Sequence, residues 1–92
     1  MRNKDIRNKI NERLEMLEAS VVLLEPKTYD TAIVGLWWDG VDEPHVVYDR
    51  DKILDVLEQD MSKDDAYEFY DYNTLRALPY MGVNKPIIIE KL

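Results

Sequence analysis

The sequence predicts an α+β fold, with an N-terminal helix and an antiparallel sheet of about three strands on which further helices pack. Apolar residues at helical spacing in residues 10–24 and 53–61 predict two amphipathic helices. Mainly apolar runs in residues 29–38 and 86–89, the second after a turn at Gly82, predict strands of that sheet.

The length of 92 residues limits the chain to one hydrophobic core. We therefore expect a single domain, 1–92, in which residues 1–25 hold the N-terminal helix and residues 28–92 form the α+β core. A domain of this size is only marginally stable, so a partner subunit is a further way to stabilise it.

The N-terminal helix is predicted from an apolar stripe with spacings of four, three, four and three residues. The stripe consists of Ile10, Leu14, Leu17, Val21 and Leu24. The helix should begin at about Asn3 or Asp5 and end at about Ala19 or Leu24, although SVVLLEP, from Ser20, also has the pattern of a short strand. The stripe either packs on the chain's own sheet, which we favour, or forms a seam between subunits.

A first strand is predicted over Tyr29–Gly40, where both alternating sets of side chains are apolar, as in a strand covered on both faces. Asp39 and Gly40 favour a turn, and HVVYD, from His45, should return as an antiparallel strand. Gly35 would let a neighbouring aromatic ring approach the sheet closely.

Two central helices follow, each with a predicted N-cap. Asp49 should cap the first helix, and Ser62 with Asp65 resembles a capping box for the second. The apolar stripe of the first helix is Ile53, Leu54, Leu57 and Met61, and that of the second is Ala66, Phe69, Tyr70 and Asn73.

The helical pattern changes phase at Asn73, because Leu75 and Leu78 would point away from the preceding stripe if the helix continued. We therefore predict that the helix breaks here. Thr74 would cap a short new turn, which Pro79 would end by restricting the residue before it.

Composition excludes several classes of protein. The chain has no cysteine, so neither disulfides nor thiolate metal sites are available to it. The sequence shows neither an apolar stretch of membrane-spanning length nor the apolar core of a signal peptide, and we expect a cytoplasmic protein with no membrane contact. The formal net charge of −7 argues against direct nucleic-acid binding and favours protein partners or self-association.

We expect no enzymatic activity, no cofactor and no metal. The sequence contains neither a serine nucleophile elbow, nor a P-loop, nor a dinucleotide-binding fingerprint. The single histidine, His45, lies near Asp39, Asp42, Glu43 and Asp49, but the spacing fits neither an EF-hand nor a zinc site. A solvated acidic loop is the favoured interpretation.

Six residues are candidates for binding a partner: Trp37, Trp38, Tyr72, Asn73, Arg76 and Tyr80. The two adjacent indoles point to opposite faces of one strand, so either one is exposed or both are buried between helices and sheet. Arg76 would bind a carboxylate or phosphate, or form a salt bridge with Asp71, Glu68 or the C-terminal region.

The segments YDTAIVG, VVYDRDKILDVL, MSKDDAYEFYDYNTLRALPYMG and KPIII resemble a family of small uncharacterised proteins of bacteriophages and prophages, particularly of gut Firmicutes. The resemblance covers about Leu23 to Ile89, and DYNTLRALPYMG is its most specific part. The N-terminal helix and the WWDGVDEP loop depart from it. The family implies no activity, cofactor or catalytic residue, but it implies a small accessory protein made inside a bacterial host.

From this setting we expect a non-enzymatic protein that binds a host protein and inhibits or modulates it, for example a CRISPR effector or another defence enzyme, in one version as a nucleic-acid mimic. Two alternatives remain. One is a nucleotide or small-ligand sponge that uses Arg76, Asn73 and Tyr80. The other is a homo-oligomer with a structural or regulatory role, held together by the N-terminal helix.

Overall fold

A computed structural model describes residues 3–15, 20–41 and 43–92 of the chain. In these residues helices pack on a three-stranded mixed sheet, which confirms the predicted α+β class. The elements are α1 (Asn3–Glu15), a first 3₁₀ helix (Lys27–Ala32), β1 (Ile33–Trp38), β2 (Pro44–Asp49), α2 (Arg50–Glu58), α3 (Lys63–Phe69), a π-helix (Tyr70–Leu75), a second 3₁₀ helix (Leu78–Tyr80) and β3 (Ile87–Ile89).

The three strands form one sheet in the order β1-β2-β3. β1 and β2 are an antiparallel hairpin, as predicted, and Gly40 takes the positive φ of 86° that its turn requires. β3 lies parallel to β2, with Val47 opposite Ile87, so the expectation of an antiparallel sheet is wrong for this pair. The chain passes through α2, α3 and the π-helix before it returns, and so long a crossover permits parallel pairing.

The predicted strand from Tyr29 begins later than expected, because residues 27–32 form a 3₁₀ helix. This helix places the side chain of Asp30 in the interior, where it is fully buried. Arg7 of α1 donates two hydrogen bonds to that carboxylate, from Nε to Oδ2 and from Nη2 to Oδ1, the latter at 2.9 Å. The hydrogen bond to Asp30 is the main cause that raises the pKa of Arg7. A buried carboxylate needs such a partner, so the pair fixes α1 on the core.

A β-bulge in β1 changes which residues of the strand face the core. The pairing register shifts between Ile33 and Gly35, and beyond it Leu36 and Trp38 pack toward the core while Trp37 points outward. The strand is therefore covered on one face, and the prediction of cover on both is wrong. Nothing lies within 4 Å of a Cβ built on Gly35, so the expected close approach of a ring is also wrong.

α1 packs its apolar stripe on its own chain. Ile10 and Leu14 are 5% exposed and belong to the core, as favoured from the sequence, whereas Leu17 and Ala19 lie outside the described residues. Residues 20–24 form neither the helical end nor the strand that the sequence allowed. They are held by single hydrogen bonds, including one from the Leu24 N–H to the Tyr48 hydroxyl at 2.9 Å.

Both predicted N-caps are confirmed. The Asp51 N–H donates to Asp49 Oδ1 at 3.0 Å, and the Asp65 N–H donates to Ser62 Oγ at 3.2 Å. Each bond satisfies one backbone donor that the first turn of a helix leaves free. The caps fix where α2 and α3 begin, and so which faces of these helices meet the sheet.

The helices cover one face of the sheet, which we call the inner face. The buried apolar residues include Ile10, Leu14, Leu24, Tyr29, Ala32, Ile33, Val46, Tyr48, Ile53, Leu54, Leu57, Ala66 and Tyr70. Burial raises the pKa of Tyr48 to about 12. In the part of the chain that the structure describes, no helix is long and apolar enough to cross a membrane.

Candidate functional site: the groove of α3 and the π-helix

α3 continues directly into the π-helix, with no break between Phe69 and Tyr70. The predicted break at Asn73 is wrong, and so is the predicted cap at Thr74, which is 7% exposed and lies within the π-helix. The change of phase in the sequence does mark a departure from the α-helix, but the departure is a π-helix and not a break. A π-helix accommodates the additional residue by widening its turn.

The widened turn keeps one line of side chains in the core. Ala66, Tyr70 and Thr74 are spaced by four residues and are all buried. A step of four overshoots an α-turn of about 3.6 residues and falls short of the wider π-turn, so the two deviations compensate. Phe69 and Asn73, which the sequence placed in the buried stripe, are instead exposed, and that part of the prediction is wrong.

The opposite side of this segment forms a shallow groove of about 420 Å³. We call it the α3–π groove, and its lining consists of Met61, Asp65, Glu68, Phe69, Tyr72 and Asn73. Phe69 is 40% exposed and Tyr72 is 53% exposed, so both rings offer apolar surface to solvent. The carboxylates of Asp65 and Glu68 lie on exposed residues beside them.

Two of the predicted binding residues are engaged with neighbours on the same segment. The Arg76 guanidinium lies 4.2 Å above the centre of the Tyr72 ring, which is a cation–π contact. The Asn73 amide donates to the Phe69 carbonyl at 3.2 Å. The salt bridge proposed from the sequence does not form, since no described residue makes an ion pair with Arg76.

The surroundings of the groove are acidic. Residues 60–72 contain five carboxylates and one lysine, and all six side chains are on exposed residues. Asp64 and Asp65 lie in the first turn of α3, where the helix dipole favours negative charge. The groove therefore combines exposed aromatic rings with a locally negative potential.

The other three predicted residues lie elsewhere. Trp37 is 49% exposed on the outer face of the sheet, while Trp38 packs against the core, so the alternative of one exposed indole is correct. Tyr80, on the second 3₁₀ helix, is 90% exposed. Of the six candidates, Tyr72, Asn73 and Arg76 are the ones that the structure brings together.

No known protein family, curated protein or solved structure matches this chain. The resemblance to phage proteins stays a prediction. Phe69 is the groove residue that the sequence placed only in the buried stripe, whereas Asn73 was also a candidate binding residue. The phase change at Asn73 was the available signal, but the sequence does not distinguish a break from a π-turn.

Proposed function

We propose that this chain is a small acidic accessory protein of phage or prophage type that binds a host protein in the bacterial cytoplasm and inhibits or modulates it without catalysis. The observation that supports the proposal is the α3–π groove. It places Phe69 and Tyr72 half exposed beside two carboxylates, Asp65 and Glu68, on a continuous helical segment.

The exposed rings are the first step of the argument. Aromatic side chains supply much of the binding energy at protein interfaces, because they bury large apolar areas and lose little conformational freedom. Phe69 and Tyr72 lie on the same helical segment as the buried Ala66 and Tyr70, so their backbone is already fixed by the core. Binding of a partner would therefore cost no conformational entropy for ordering their backbone.

The charge indicates what kind of partner fits. A Lys or Arg side chain has an apolar stem that packs on an aromatic ring and a charged head that pairs with carboxylates. Within the chain, the Arg76 guanidinium already makes a cation–π contact with Tyr72. The groove therefore suits a basic segment of a partner protein, with a cation on Phe69 or Tyr72 and its charge toward Asp65 and Glu68.

A basic partner suggests that the protein acts as a nucleic-acid mimic. Proteins that bind nucleic acids present Lys- and Arg-rich surfaces to phosphates. An acidic protein that occupies such a surface excludes the nucleic acid by competition. Host defence enzymes that act on phage DNA or RNA belong to this class, which agrees with the setting implied by the family resemblance.

The test is affinity capture from a bacterial lysate with three forms of the protein: the wild type, Asp65→Asn/Glu68→Gln, and Asp55→Asn/Glu58→Gln. The last is a matched control, because it makes the same two changes at the same spacing on exposed residues of α2. We expect one basic protein to be captured by the wild type and the control, to be released by salt, and to be at least about tenfold depleted with the groove variant.

A captured protein that is retained equally by both double variants would contradict the proposal, as would the absence of any salt-sensitive partner. Nucleic acid added to the lysate distinguishes the two forms of the hypothesis. Competition by DNA or RNA supports the mimic, whereas capture that is unaffected by either supports binding at a different basic surface.

A further inference from the structure

The tip of the β1–β2 hairpin brings together three side chains outside the groove. Asp39, Glu43 and His45 each offer one ligand atom, and these atoms lie within 4.8 Å of one another. Trp37 and His45 are opposite each other on the outer face of the sheet, and the Asp39 N–H donates to the Glu43 carbonyl at 2.8 Å. Alternation along the two strands therefore places all three side chains on the same side.

His45 is positioned as metal-binding histidines are. It is only 7% exposed, and its Nδ1 lies 2.8 Å from the Lys85 carbonyl oxygen. A carbonyl oxygen only accepts hydrogen bonds, so Nδ1 carries a proton, and in the neutral ring the lone pair is on Nε2. Nε2 has no hydrogen-bond partner among the residues that the structure describes. A backbone carbonyl that fixes the second nitrogen is the usual support of a histidine ligand.

The two carboxylates lack a compensating charge. Like charges opposite each other in a hairpin are destabilising, and neither Asp39 nor Glu43 makes an ion pair with a residue in the described ranges. A divalent cation between them would convert this repulsion into attraction. Asp42, considered with these residues in the sequence, lies outside the described residues.

We propose that Asp39, Glu43 and His45 bind a divalent first-row transition-metal ion, with Zn²⁺ as the representative. An imidazole nitrogen favours these ions over Ca²⁺ and Mg²⁺, which prefer oxygen ligands alone. Ligand atoms at about 2 Å from Zn²⁺ lie within about 4 Å of one another, and the three atoms here lie within 4.8 Å. Asp39 is exposed and Glu43 is half-buried, so rotation of their side chains can close the site. Three protein ligands leave positions for water or for a group from a partner.

The test uses the fact that His45 is the only histidine of the chain. Two-bond ¹H–¹⁵N correlation spectra therefore report on its ring without any variant. We expect a protonated Nδ1 and an unprotonated Nε2 in the metal-free protein, and a saturable shift of the Nε2 resonance on titration with Zn²⁺. The same concentrations of Mg²⁺ should produce no shift.

Two variants complete the experiment. Asp39→Asn/Glu43→Gln should weaken Zn²⁺ binding by at least about tenfold. Loss of a residue that only supports a metal ligand already lowers metal affinity by about tenfold or more, and loss of the ligands themselves should lower it further. Asp55→Asn/Glu58→Gln removes the same charge elsewhere and should leave the affinity unchanged. An unprotonated Nδ1 in the wild type, the absence of a Zn²⁺-dependent shift at Nε2, or equal affinity in all three proteins would overturn the proposal.

Discussion

The two sides of the segment formed by α3 and the π-helix differ sharply in what surrounds them. Ala66, Tyr70 and Thr74 on one side are buried against the core, with at most 7% of each residue exposed. Phe69 and Tyr72 on the other side keep 40% and 53% of their surface in solvent. Neighbouring residues of one continuous segment thus differ in how much they contribute to the stability of the fold.

The difference separates stability from binding. Burial of apolar surface stabilises the fold, so the inner side should be sensitive to truncation. The aromatic rings on the groove side contribute little to the stability of the fold and remain available to a partner. If this comparison is correct, tyrosines a few residues apart should respond very differently to the same substitution.

The largest effect is expected for Tyr70→Ala. Removing this buried ring should lower the free energy of unfolding by about 3 to 5 kcal/mol, because the cavity cannot fully collapse. Tyr67→Ala is the matched control, since Tyr67 lies on α3 in the same continuous segment and is 43% exposed. It should cost about 0.5 kcal/mol. Denaturant unfolding curves give both values, and equal losses would contradict the comparison.

A smaller effect is expected at high pH. Burial raises the pKa of Tyr48 from 10 to about 12, so the folded state retains a proton that the unfolded chain releases. Stability is then complete below about pH 10 and is lost as the pH rises through 12, by about 2 to 3 kcal/mol in total. Burial also raises the pKa of Tyr29 and Tyr70, which acts in the same direction.

Unfolding curves recorded at several pH values between 8 and 12 measure this loss, and Tyr48→Phe is the comparison. The variant is less stable at pH 8 by about 1 to 3 kcal/mol, because the buried Leu24 N–H loses its acceptor. Its stability should fall less steeply above pH 10. An identical slope in the two proteins would show that Tyr48 is not the group responsible.

The sequence was sufficient for some features and not for others, for physical reasons. The caps at Asp49 and Ser62 and the hairpin turn depend on local chemistry, and all are confirmed. The first 3₁₀ helix depends on a distant partner, because it buries the Asp30 carboxylate, which needs the charge of Arg7 to compensate it. The bulge in β1 and the parallel pairing of β3 likewise depend on tertiary contacts.

The candidate site was predicted in part. The sequence predicts Tyr72 and Arg76 as binding residues, and the structure brings them together in a cation–π contact. Phe69 was assigned to the core, since an α-helical phase was assumed up to Asn73. The π-helix changes which residues face the solvent, and no pattern of period 3.6 contains that information.

A still smaller effect on stability is expected for Tyr72→Ala. The exposed ring contributes mainly its contact with Arg76, so the free energy of unfolding should fall by about 0.5 to 1 kcal/mol. Capture of the basic partner should nevertheless be lost, because the ring is a proposed anchor of the interface. Unfolding curves and affinity capture on the same preparation separate the two properties. A loss of stability as large as that of Tyr70→Ala would show that Tyr72 stabilises the fold as Tyr70 does.

Site-specific photo-crosslinking tests the central claim most directly. A photoreactive phenylalanine analogue would replace Tyr72 in one form and Trp37, on the outer face of the sheet, in another, and both would be expressed in bacteria. We predict that residue 72 crosslinks to one basic protein and that Asp65→Asn/Glu68→Gln abolishes the product while Asp55→Asn/Glu58→Gln preserves it. No product at residue 72, or the same product from residue 37, would contradict binding at the α3–π groove.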